Sequence, residues 1–163
     1  MPEKKTIARA RKDKREGKAG STQAGEFVRE EMHHVREGKH GARSTKQAIA
    51  IGLSKARRAG VKIGGPKKGS EETRRKAKLA AEKGEHGGGE VSRKRSQAAS
   101  RALKREGHGA ASTKSLSEQG RSAARKRTAA DRSAAARKAA RTKGAEGRSA
   151  AARKAARTRA SSQ

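Results

Sequence analysis

His33, His34 and His40 fall within eight residues, and this is the first place in the chain where imidazoles could gather around a metal ion. Such sites are completed by cysteine thiolates or carboxylates. The chain has no cysteine, and no carboxylate stands at the spacing of a familiar ligand set. Three solvated histidines are therefore expected, with no metal and no cofactor. Gly87-Gly88-Gly89 is a second candidate, for phosphate, but it lacks the Lys-Ser/Thr ending of a phosphate loop and reads as linker. No nucleophile, base and orienting group assemble with a pocket around them. Neither an enzymatic reaction nor a small-molecule substrate is expected.

The remaining chemistry is that of fixed positive charge. Eleven residues, Arg132 to Thr142, recur identically from Arg148 to Thr158, and Arg121 to Lys126 is a looser third copy. At 100° per residue, Arg137, Lys138 and Arg141 share one face of a helix. The residues expected to meet phosphates are Arg132, Arg137, Lys138, Arg141, Arg148, Arg153, Lys154 and Arg157. With Phe27 the only aromatic residue, base-stacking platforms are excluded. Nothing is placed to read base edges. Binding should be sequence-independent and steeply dependent on salt.

Composition points the same way. Lys and Arg number 45 against 16 Asp and Glu, for a net charge of +29 over 163 residues. Leu, Ile, Val and Phe together number 13, well under the share at which a chain ordinarily folds. Low hydrophobicity and high charge predict that most segments stay disordered. Charge of this sign attracts polyanions: DNA first, with RNA obeying the same physics. No apolar run is long enough for a membrane span, and the charged N-terminus has no apolar segment of the secretory kind. A cytoplasmic, nucleoid-associated protein is the expectation. A hydrophilic stress-protection protein and a small protein-docking module are the alternatives.

Eight of the 13 large apolar residues lie between Phe27 and Ile63, the one stretch able to make a core. A first helix is predicted from about Ala24 to Glu37, capped by Ser21 or Thr22 and striped by Val28, Met32 and Val35. Gly38 ends it. Ser44 and Gln47 form a capping box for a second helix from Thr45 to about Ala59, with Gly60 beyond its end. Ile49, Leu53 and Ala56 form its stripe, and Val61 and Ile63 fold back on it. Lys55, Arg57 and Arg58 are further candidates for phosphate contact. The linker of about seven residues is long for a helix-turn-helix, so the second helix should pack on the first and present charge.

The predicted fold class is thus mainly α: a small two-helix hairpin over 21–66, with long, largely disordered basic extensions able to become helical when bound. Residues 1–20 form a basic arm, 67–119 a low-complexity basic linker, and 120–163 the repeat tail. The linker echoes the hairpin turn, since Arg36 to Lys46 recurs one residue shorter as Arg105 to Lys114. It has lost the isoleucines, and no second core is expected. The hairpin is so small that pairing with a second copy is an expected source of stability.

At Gln47-Ala-Ile-Ala-Ile-Gly-Leu-Ser-Lys-Ala-Arg-Arg-Ala-Gly60, with Gly38-Lys39-His40-Gly41 upstream, the sequence resembles a family of small basic bacterial proteins with an uncharacterised domain. The resemblance covers about residues 23–65. Members tend to be labelled DNA-binding or plasmid-stabilisation proteins, which implies a role in plasmid maintenance. The Ala/Arg/Lys tail separately resembles bacterial histone H1-like tails in composition.

Overall fold

The computed structural model describes residues 2–66, 69–86 and 92–161. Its regular elements are all helical: α1 (Lys4–Arg15), α2 (Gly20–Arg36), α3 (Thr45–Arg58), α4 (Glu71–Glu85), α5 (Arg93–Lys104), α6 (Thr113–Arg125) and α7 (Ala129–Ala160), with a 3-10 turn at Gly109–Ala111. The chain divides into two units, Met1–Gln119 and Gly120–Gln163.

The expectation of a two-helix hairpin with long disordered extensions is overturned by these helices. Alanine, arginine and lysine are strong helix formers, and local caps fix where the helices begin. Ser70 accepts a hydrogen bond from Thr73 N (3.3 Å) at the head of α4, where Glu71 and Glu72 complement the dipole. Thr128 and Asp131 cap α7 reciprocally, each side chain accepting from the other's backbone N–H. The Gly87-Gly88-Gly89 run lies outside the described residues.

In the first unit α2 packs on α3, α1 packs on α2, and α4 packs on α3. The hairpin ends largely as its punctuation predicts. Ser44 accepts from Gln47 N (3.2 Å), although Gln47 Oε1 reaches past the cap to Arg43 N (2.7 Å). Gly60 (φ +80°) follows α3, with Gly60 N bonded to Arg57 O and Val61 N to Ala56 O, the paired bonds of a Schellman ending. The start of α2 differs. Its cap position is Ala19, with no side-chain bond, so neither Ser21 nor Thr22 caps it.

The α3 stripe also differs from the predicted one. Thr45, Ala48, Gly52 and Ala56 line the buried stripe, with Arg57 buried beside it, while Ile49 and Leu53 are only half-buried at the flanks. Gly52 explains this. A Cβ there would stand 2.7 Å from Val28 Cα, so the helices approach too closely for a larger side chain. The flanks serve two cores. Ile49 joins Met32, Val35, Ala42 and Ala48; Leu53 joins Phe27, Ala24, Ala56, Val61 and Ile63, with Ile7 and Ala10 of α1 completing that side.

The echo of the hairpin turn closes the first of these cores. Ala111 is fully buried in it. Thr45 Oγ1 donates to Ala110 O (2.7 Å), Arg36 Nε donates to Ala111 O (2.8 Å), and Gly41 N donates to Leu103 O (2.9 Å). Apolar cover for the hairpin thus comes from α1 and from the echo of the same chain, while α4 packs on α3.

Candidate functional site

Two groups of residues carry chemistry: an array of exposed cations on α7, and a buried cluster of histidines and carboxylates between α2 and α3.

All eight predicted phosphate-binding residues of the repeat, Arg132, Arg137, Lys138, Arg141, Arg148, Arg153, Lys154 and Arg157, are exposed. None of the eight forms an ion pair with a carboxylate among the described residues. Arg132, Arg137 and Arg148 donate only to backbone carbonyls or a serine hydroxyl of the same segment. Gly144 (φ +67°, ψ 174°) interrupts the helix. The interruption falls between the two copies of the repeat, so each copy occupies its own helical stretch. No residue of α7 is buried. The exposed surface of α7 is mostly alanine and basic side chains, with Asp131 and Glu146 its two acidic residues.

The α3 candidates divide differently. Arg58 is exposed. Lys55 is turned inward, where its Nζ donates to Glu31 Oε2 (2.5 Å) and lies 3.9 Å from Glu30 Oε1. Arg57 is buried, its guanidinium donating to Gly64 O (3.0 Å) while Nε has no hydrogen-bond partner. Two of the three candidates on α3 are therefore spent inside the fold.

What holds Lys55 there is a feature that reading the sequence missed. Glu31 is fully buried and Glu30 is 3% exposed. Glu31 stands at the middle of a stripe, Phe27, Glu31 and Val35, at i, i+4 and i+8. An acidic residue on an otherwise apolar stripe, with a lysine on the facing helix, was the available signal. A buried carboxylate has to be paired, and Lys55 supplies that pairing.

The histidines are likewise not the three solvated rings expected. His33 is exposed, but the side chains of His34 and His40 are only 12% and 15% exposed. Their rings meet edge to face, with centroids 6.1 Å apart. His34 Nε2 is 3.0 Å from Glu3 Oε1 and 3.9 Å from Glu30 Oε1. His40 Nε2 is 3.3 Å from Glu31 Oε1. The Glu3 carboxyl is held below the ordinary carboxylate range, first by its hydrogen bond with His34 and then by Lys39. Glu3 N also donates to both oxygens of Glu30 (3.3 and 3.2 Å), which ties the start of α1 to the cluster.

A family of unknown function, DUF6496, matches residues 19–69. The chain is similar to that family over this stretch. No curated protein and no solved structure matches the chain. The matched stretch spans α2, the turn and α3, and so includes Glu30, Glu31, His34, His40 and Lys55; Glu3 and the whole repeat lie outside it. No helix among the described residues is long and apolar enough to cross a membrane.

Proposed function

We propose that the chain binds nucleic acid without sequence preference, in a nucleoid-associated or plasmid-maintenance role with DNA as the polymer. The observation that carries this reading is the exposure of all eight repeat cations, with no carboxylate partner among the described residues. Residues 120–163 hold 14 basic and 2 acidic residues. Cations held this close on alanine-rich helices repel one another, and phosphates relieve that repulsion while releasing counterions. The helices carry no aromatic side chain to stack on bases. Contacts of this kind position a protein on the backbone and carry no sequence information.

The test is a titration of the full chain against random duplex DNA at several salt concentrations, repeated with duplex RNA. Neutralising about five phosphates per repeat contributes about −4.5 to the slope of log affinity on log salt, so the two copies of the full chain together give about −9. Equal affinity for unrelated duplex sequences is expected. A flat salt response overturns the proposal; tighter binding to RNA than to DNA changes the polymer.

A further inference from the structure

We infer that Glu31, His34 and His40 form a binding site for one divalent first-row transition ion of the zinc and cobalt class. One ligand atom from each of the three lies within 4.8 Å of the other two. Glu31 and His34 are three residues apart on α2, which puts them on one face. The chain then leaves the helix through Gly38 (φ +72°), with Gly38 N bonded to Val35 O and Lys39 N to His34 O. That ending brings His40 back over the last turn.

The protonation geometry calls for a cation between these groups. His40 Nδ1 lies 3.0 Å from Gly41 O, and a carbonyl only accepts, so Nδ1 carries the hydrogen. On a neutral ring the lone pair then resides on Nε2, facing Glu31 Oε1 at 3.3 Å. Oε1 is buried and makes no hydrogen bond. With the ring neutral, two lone pairs face each other there, an arrangement that a bound cation relieves. The bond from the far ring nitrogen to a backbone carbonyl is also the arrangement by which proteins orient a metal-binding histidine.

Lys55 occupies only Oε2 of Glu31, which leaves Oε1 to the ion. Glu3 Oε1 lies 3.0 Å from His34 Nε2 and stays outside the three-ligand cluster. Two imidazoles with carboxylate oxygen and no thiolate suit borderline ions such as zinc, cobalt and nickel, and suit calcium or magnesium poorly. The inference is independent of the nucleic-acid proposal, since none of these residues is among the eight repeat cations.

The experiment is a titration of the full chain with zinc chloride, and separately with cobalt(II), in chelator-free and phosphate-free buffer without nucleic acid. Saturable uptake of one ion per chain with a rise in Tm is expected. Cobalt should give the intense visible absorption of a low-coordinate nitrogen and oxygen site. His34→Gln and His40→Gln should each weaken binding by at least about tenfold, and His33→Gln should leave it unchanged. Circular dichroism checks that the variants fold. If they do not, the wild-type cobalt spectrum decides: the weak spectrum of the hydrated ion overturns the site. Absence of saturable uptake, or uptake that survives the His34→Gln/His40→Gln double variant, overturns it too.

Discussion

Lys55 of α3 and Lys138 of α7 sit in similar local sequence, Ser54-Lys55-Ala56-Arg57-Arg58 and Arg137-Lys138-Ala139-Ala140-Arg141. Lys55 is clamped between two buried carboxylates, and Lys138 is exposed with no carboxylate paired to it among the described residues. The difference does not lie in either helix. It lies opposite α3, where Glu30 and Glu31 occupy positions on α2 that face the partner helix. On α7 itself the acidic residues are only Asp131 and Glu146. A basic helix becomes part of a fold or part of a surface according to what faces it.

That contrast can be broken most forcefully from the inside. Lys55→Ala leaves Glu31 buried without its ammonium partner, and removing one member of such a pair costs about 3–5 kcal/mol. Chemical denaturation should show this loss. DNA affinity of the molecules that stay folded should not change. A large loss of affinity with little loss of stability would move Lys55 to the binding surface.

Deleting residues 120–163 is the complementary cut. DNA affinity should fall by more than about a hundredfold at moderate salt, while the melting of the first unit is unaltered. Gel-shift and thermal-melt measurements on the same sample check both halves. Retained affinity would place the site in the first unit and end the contrast.

Gly52→Ala probes the close approach that makes α3 an inside helix. Its Cβ has no room beside Val28 Cα, so overpacking should cost about 1–3 kcal/mol. Nucleic-acid affinity should be unaffected.

The smallest effect concerns a surface pair. Glu16 is held below its ordinary value of 4.5, chiefly by the hydrogen bond from Lys18. A carboxyl with a depressed folded pKa contributes stability above its unfolded value, and that contribution disappears as pH falls through the folded value. Glu16→Gln should therefore lower Tm slightly at neutral pH, and the gap should close in acid. A gap that persists in acid would assign the effect to something other than the charge.

The parts of the fold legible in sequence are those set by neighbours in the chain. Ser44, Gly38 and Gly60 mark their helix ends because capping is a matter of three or four residues. The repeat was legible as a charge array for the same reason. The helicity of the extensions was legible too, in Thr128 and Asp131, but average hydrophobicity outweighs such a signal in a reading by composition. The buried cluster was harder to see. Glu31 means one thing on an exposed helix and another when Lys55 and His40 converge on it, and those contacts span 24 and 9 residues. The small-residue spine of α3 was hidden in the same way: Gly52 reads as a weak point until another backbone is known to lie against it.

Gly144 has a consequence for how such a tail is able to vary. Because the helix is interrupted between the copies, each 16-residue period is self-contained, and insertion or loss of a whole period leaves the others in phase with their own breaks. The period 132–147 holds five basic residues and one acidic. Each period gained would then steepen the salt dependence by about 4.5 and each period lost would relax it by the same step. Copy number becomes a ladder of discrete affinities, climbed by changing length alone, with no new contact to be designed and no core to be repacked.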